Sequence, residues 1–170
     1  MGGNVGGRGS KSPQAKQGVK NVSRRALIWA KSRIGNSRYG RGAWNGTFFY
    51  GTAKCNLFVE RAFNQGNPEE KPFPFTPSRS YLNTGIGRMR HYSAAEIYSG
   101  RLLNFKLVKI PQPGDIAADG QHVGIVSGKG KTISASIITG KVVENDWGFR
   151  GKDKTPTPNM RFFRYTGDDK

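Results

Sequence analysis

The chain holds one cysteine, Cys55, in "AKCNLFVERAF", and two histidines, His91 and His122. A thiol is a useful nucleophile only as thiolate, so what matters is the company Cys55 keeps. It stands directly before residues 56–64, where Leu57, Phe58, Ala62 and Phe63 recur at helical spacing. Cys55 therefore falls in the first turn of a helix, beside unpaired N–H groups and the positive end of the dipole. His122 heads the strand-like run "HVGIV", whose alternation turns His122, Gly124 and Val126 to one face and Val123 and Ile125 to the other. An imidazole on a sheet facing that helix can take the thiol proton and return it to a leaving group. The competing reading of Cys55 is a small buried hydrophobe. His91, in "RMRHYS", reads as a surface or satisfied core residue.

Such a pair needs helices and a sheet to hold it. In "NVSRRALIWAKSRIGNSRYG", Ser23 reads as an N-cap, Ala26, Leu27, Ala30 and Ile34 as an apolar stripe, and Gly35 as the stop. Gly40, Gly42, Gly46 and Gly51 then punctuate a loop carrying Tyr39, Trp44, Phe48, Phe49 and Tyr50, an aromatic load suited to lining a cleft or covering the core edge. Gly66 ends the cysteine helix, and "NPEEKPFPFTPS" is too rich in proline for a regular element. "SAAEIYSG" has the capping-box form, Ser93 with Glu96, and ends at Gly100. After a turn-rich approach, "PQPGDIAADG", come three strand-like runs, "HVGIVSG", "KTISASI" and "KVVENDWGF", joined by the hairpin turns "SGKGK" and "ITGK". A last aromatic strand, "MRFFRY", follows. Helices first and an antiparallel meander after them predict an α+β fold. Residues 1–20 read as a flexible Gly- and Lys-rich tail or linker, 21–166 as a single domain and 167–170 as a polar tail.

Of the net charge of +17, residues 1–59 carry 11 Lys and Arg and no acid, the first acid being Glu60. That field favours an anionic partner such as nucleic acid, a membrane surface or the bacterial envelope. A single cysteine excludes an internal disulfide, and no Cys/His cluster has the spacing of a zinc site. No metal and no cofactor is expected. No stretch reaches the ~18 apolar residues of a membrane span, and the N-terminus lacks the apolar core of a secretory signal.

Three segments, "RALIWAKSRIGNSRYGRG", "KCNLFV" and "PQPGDIAADGQHVGIVSGKGKTISAS", taken in order, resemble the NlpC-type cell-wall peptidases and the related CHAP amidases over residues 21–150. The resemblance implies a papain-like α+β fold in which the nucleophilic cysteine opens a helix packed on an antiparallel sheet bearing the histidine. It implies hydrolysis of amide bonds in peptidoglycan stem peptides, first the D-glutamyl to diamino acid link and next the amide to muramic acid. Cys55 matches the nucleophile and His122 the general base. Lys54 stands where many relatives carry Asp, and Asn56 and Leu57 where they carry Ser and Gly.

For the group that orients the imidazole, the resemblance offers three residues. In "VVENDWGF", Asp146, aligned with the amide that CHAP domains carry before an aromatic, comes first and Glu144, in the place of the preceding acid, second, and Ser134 occupies the position of the NlpC polar residue. A carboxylate on Nδ1 would hold the useful tautomer and stabilise the imidazolium. The Cys55 N–H is the first donor for an oxyanion, with the Asn56 side chain or the Tyr39 hydroxyl as a second. Trp44, Tyr50 and Trp147 complete the expected substrate-binding set. A thiolate with an imidazolium beside it implies activity that is broad around neutrality.

Delivery by a route independent of a signal peptide, through a phage lysis system or a contact-dependent secretion machine acting on the periplasm or cell wall, follows from this reading. An antibacterial toxin of that kind would meet an acidic immunity protein. Two alternatives stay open. One is a basic nucleic-acid-binding module, motivated by the charge and the interleaved aromatics of the first third. The other is the same thiol chemistry on another acyl substrate, as in a deamidase, transglutaminase or acyltransferase.

Overall fold

The computed structural model describes residues 21–40, 42–43, 54–64, 76–77, 89–90, 92–147, 149 and 159–169. Among the described residues, three helices, α1 (Val22–Ser32), α2 (Cys55–Asn64) and α3 (Ala94–Tyr98), accompany eight strands. Two of these, β1 (Thr76–Pro77) and β2 (Met89–Arg90), pair as a small ladder. The other six are β3 (Phe105–Val108), β4 (Ile116–Ala118), β5 (Val123–Gly128), β6 (Lys131–Ala135), β7 (Val142–Asp146) and β8 (Arg161–Tyr165). They form one antiparallel sheet in the order β3-β8-β4-β5-β6-β7. The α+β class expected from the element order holds. The meander of β5, β6 and β7 is as the sequence predicts, whereas β3 and β4 were not anticipated. Strand β4 lies inside the segment read as a turn-rich approach, where Ile116, Ala117 and Ala118 are too few to show alternation and all three are buried.

The register explains where the core sits. Phe163, Ile116, Ile125 and Ile133 pair in succession across β8, β4, β5 and β6, forming one apolar row. The row ends at the sheet's two edges in Leu107 and Glu144. Its three isoleucines are 0 % exposed, each worth about 1.5–3 kcal/mol of burial. Helices α1 and α2 pack on this face over β5 and β6, bringing Ala26, Leu27, Ala30, Leu57, Phe58, Ala62 and Phe63 into the same cluster. The opposite face carries a smaller cluster, Ala117, Val126 and Phe162, flanked by Trp147, Phe149 and Met160.

Two boundaries of α1 differ from expectation. Its N-cap is Asn21, whose Oδ1 accepts from the Arg24 N–H at 2.7 Å. Ser23 lies inside the first turn, and its N–H goes to Asp168. The helix stops at Ser32, and Gly35, with φ of 89°, turns the chain so that its N–H reaches the Val142 carbonyl at 2.8 Å. That turn carries Ile34 out of the apolar stripe and leaves it 48 % exposed. The segment read as a polar tail contains a 3-10 turn, Thr166–Asp169, from which the Asp168 carboxylate accepts the N–H groups of Val22 and Ser23 at 2.6 and 3.0 Å. An acid there satisfies orphan donors and complements the dipole at the start of α1. Helix α3 keeps its predicted form, with Ser93 as N-cap and Glu96 in the box. Thr76 and Pro77 form β1 within the proline-rich stretch expected to lack regular structure. The rest of that stretch, with His91 and Gly66, lies outside the described residues.

Candidate active site

Cys55 opens α2 and is 4 % exposed. The first turn of a helix leaves its N–H groups without helical partners, and those of Cys55 and Asn56 point at the sulfur. The main-chain N–H of Val123, at the start of β5, also acts on the thiol in the direction that favours thiolate. Val123 follows His122 directly, so the first residue of α2 meets the chain at the histidine's strand. The His122 ring is half-buried and packs edge-on against Phe149, with centroids 4.6 Å apart at 86°, and so lies beside the ring that flanks the cluster on the face opposite α2 rather than on the face the helix covers.

Burial dominates the titration of both groups. It pushes the Cys55 thiol up, against the three N–H groups, and the negative charge of Asp119 adds to the rise. It pushes the His122 imidazole down, and Asp119 works in the opposite sense. Both shifts run toward the neutral thiol and the neutral imidazole, against the thiolate and imidazolium expected from the sequence. A neutral imidazole can accept the thiol proton as sulfur attacks, so no preformed ion pair is needed.

Asp119 was not singled out in the sequence. Its Oδ1 accepts from the N–H of Gln121 at 2.9 Å and of His122 at 2.7 Å, closing the turn between β4 and β5. The signal was legible in "ADGQH", because Asp followed by Gly and two further residues is an Asx-turn pattern. Phe149 was missed for a different reason: its contact with His122 depends on the chain folding back after β7.

The three residues expected to orient the imidazole do not share one place. In the register of β5, β6 and β7, Ile125 aligns with Ile133 and Ile133 with Glu144, while Asp146 aligns with Lys131 near the hairpin end of β5. His122 precedes the other end of β5. Asp146 therefore sits five residues along the sheet from the level of His122, about 16 Å, and two strands across, about 10 Å. Glu144 is three residues along and pairs with Lys131 at 3.9 Å. The expectation that Asp146 or Glu144 orients His122 is corrected by this separation. Ser134 is the near member. It adjoins Gly124, two residues from His122, and its Oγ is buried without a hydrogen-bond partner.

The expected oxyanion and substrate residues divide similarly. The Asn56 Nδ2 donates to the Tyr92 carbonyl at 2.7 Å, so the side chain ties α2 to the start of α3 and only the main-chain N–H faces the sulfur. Tyr39 packs edge-on against Trp29 and Phe58, with centroids 6.1 and 5.4 Å away, inside the core cluster. Trp147 belongs to the cluster on the face opposite α2, 5.4 Å from the Phe162 ring. Trp44 and Tyr50 lie outside the described residues. Lys54 is 1 % exposed, and its Nζ donates to the Gly40 carbonyl at 2.9 Å, fastening the start of α2 to the turn after α1.

Among the described residues no group of three or more His, Cys, Asp and Glu could hold a metal ion, and no helix is long and apolar enough to cross a membrane. Fold and site together define an α+β protein with a buried thiol at a helix start, set against the strand that follows a histidine. No family model, curated protein or solved structure matches the chain.

Proposed function

We propose that this chain is a cysteine hydrolase of the papain-like type that cleaves amide bonds in peptidoglycan stem peptides. The observation that carries the reading is that Cys55 opens α2, which packs on β5, the strand that starts at Val123 directly after His122. In the reaction, neutral His122 takes the thiol proton while sulfur adds to the amide carbonyl. The N–H groups around the sulfur are the donors nearest the negative charge that develops on the carbonyl oxygen. The imidazolium then gives its proton to the leaving amine as the C–N bond breaks, leaving a thioester on Cys55. A water, deprotonated by His122, cleaves the thioester and restores the thiol. The choice of wall peptides rests on the likeness of the "KCNLFV" and "HVGIV" segments to NlpC-type and CHAP enzymes. The net charge of +17 supports a polyanionic envelope as the setting. The D-glutamyl to diamino acid bond is the first candidate, and an exported toxin or lysis enzyme is the role that fits.

The test is digestion of isolated sacculi by purified protein, with mass spectrometry of the released fragments naming the bond. Cys55→Ala and His122→Ala should each abolish release. No product from intact protein would remove the wall-hydrolase reading. Nucleic-acid binding rests on the charge and the interleaved aromatics of the first third; binding that fades with salt and survives Cys55→Ala, without any hydrolysis, would put it first.

A further inference from the structure

The turn between β6 and β7 presents apolar side chains where a loop tip is ordinarily polar. Ile137 is 45 % exposed and Ile138 95 %. The turn that carries them is held from inside: the Ser136 N–H donates to the Lys141 carbonyl at 2.9 Å, the Gly140 N–H to the Ser136 carbonyl at 3.1 Å and the Thr139 N–H to the Ser136 Oγ at 3.2 Å. It is also fastened to the exit from α1, since the Val142 N–H donates to the Asn36 carbonyl at 2.9 Å and Gly40 packs against the Gly140 carbonyl. A turn tied on both sides does not fold its isoleucines inward, so they stand in solvent. The pairing of Ile125 with Ile133, carried on along both strands, sets Ser136 level with His122, which puts the tip at the same end of the sheet as His122.

Three kinds of occupant could cover two adjacent isoleucines, and chemistry separates them. A second copy of this chain would bring +17 against +17. A sugar or peptide polymer asks for hydrogen-bonding side chains, which an isoleucine pair lacks. An anionic bilayer meets both features of the chain. It attracts Lys and Arg, with roughly a fivefold gain in affinity for each that nears the surface. It also takes up apolar side chains, where full burial of one isoleucine is worth roughly tenfold or more. Lys141, next after the tip, is exposed, and the net charge of +17 already counts Asp119, the carboxylate on the β4–β5 turn at this end.

We propose that the β6–β7 turn is a membrane-docking tip, which places Ile137 and Ile138 in the headgroup region of an anionic lipid bilayer while the surplus of Lys and Arg holds the chain to the surface. On the reading of the chain as a hydrolase, this end meets amides presented at the membrane surface; the docking itself requires neither thiol nor imidazole.

The experiment is flotation of the purified chain with vesicles of equal phosphatidylglycerol and phosphatidylcholine, and with vesicles of phosphatidylcholine alone, at low ionic strength. Flotation with the anionic vesicles only is expected, weakening as salt is raised. Replacing both isoleucines, Ile137→Ser with Ile138→Ser, keeps every charge and should weaken binding at least tenfold. Leu103→Ser, at an exposed position before β3 on the opposite edge of the sheet, should change it less than twofold. A polarity-sensitive fluorophore on Ile138→Cys, in a Cys55→Ala background, reads insertion directly even where the double variant is poorly folded. Its emission should shift to the blue on anionic vesicles, and the same probe on Leu103→Cys should not. No binding to anionic vesicles would overturn the proposal. So would equal binding by wild type and the folded double variant, which reports diffuse charge attraction. Self-association without lipid that the double variant loses would assign the tip to a second copy instead, and retention on isolated sacculi that it loses, with no flotation, to the wall polymer. Because the labelled chain lacks Cys55, docking and hydrolysis stand or fall separately.

Discussion

Asp119 and His122 are joined by two hydrogen bonds: the Asp119 carboxylate accepts the His122 N–H at 2.7 Å, and the Asp119 N–H donates to the His122 carbonyl at 3.2 Å. The residue before β5 is thereby fixed at the level of the Cys55 sulfur, and one carboxylate charge bears on thiol and imidazole together. Asp119 acts as a positioning residue, through the main chain and through its field.

Asp119→Asn separates these two actions. The amide oxygen can still accept the His122 N–H, but the charge is gone. Because Asp119 raises both pKa values, both should fall in the variant. The acid limb of the rate profile, governed by imidazole deprotonation, should move to lower pH, and the alkaline limb should move the same way. Asp119→Ala loses the turn as well and should cost at least tenfold in the rate of Cys55 alkylation by iodoacetamide at pH 7. Profiles of wild type and Asp119→Asn that superimpose would show that the charge does not act on the pair.

The shifts also set a stability window. The folded pKa of His122 lies below its unfolded value of about 6.5, so the unfolded chain takes the proton first. The stability this group contributes is complete above that value and is lost as pH falls through the folded pKa. For Cys55 the folded pKa lies above the ordinary thiol value, so its contribution is complete below that value and is lost as pH rises through the folded one. The melting temperature should therefore hold between the two ordinary values and fall on either side. His122→Gln should flatten the acid fall and Cys55→Ala the alkaline one. Identical curves for wild type and both variants would mean that neither group is buried as described.

The legible parts of the chain were those with local signals. Cys55 at the start of α2, the Ser93 cap and the hairpin strands each rest on a few consecutive residues whose spacing names the element. What was not legible depended on distant segments. Ser23 looks like a cap until Asp168, 145 residues away, claims its N–H and Asn21 supplies the cap. Strand β4 is three residues long and owes its existence to the partners on both sides, β8 and β5. Asp146 and Glu144 share a strand near the histidine's strand, but only the pairing register shows that they lie toward its far end. Asn56 looks available for an oxyanion until the Tyr92 carbonyl takes its side chain.

The buried anchor of the sheet is Asp115 with Arg164. The guanidinium donates through Nε at 3.0 Å and Nη2 at 2.8 Å, and the Gln112 N–H reaches the same carboxylate at 2.7 Å. Asp115 is 2 % exposed, and its removal deprives the Gln112 N–H and the partly exposed Arg164 guanidinium of their shared acceptor. Asp115→Ala should cost about 1.5–3 kcal/mol in denaturant unfolding. Since the pair ties the approach to β4 to β8, away from α2, iodoacetamide reactivity of the folded fraction should change little. A loss below about 1 kcal/mol would place the pair among ordinary surface bridges.

Gly124 governs how His122 is seated. A Cβ there would lie 2.7 Å from the Ile133 carbonyl oxygen, 2.9 Å from the Phe149 ring and 2.9 Å from the Ser134 Cβ. The first is main chain in the neighbouring strand and cannot swing aside, so Gly124→Ala must part β5 from β6 or move the Phe149 ring. Overpacking of this kind costs about 1–3 kcal/mol. Displacing the ring also removes the edge contact that holds the imidazole, so the alkylation rate of Cys55 should fall along with stability. The double variant Gly124→Ala with Phe149→Ala distinguishes the two routes. If the ring yields, truncating it should restore part of the stability lost by Gly124→Ala while reactivity stays low, because the imidazole then has no aromatic wall. If the strands part instead, the two losses should simply add. Wild-type stability in Gly124→Ala alone would contradict the close approach of β5, β6 and Phe149 on which the placement of His122 depends.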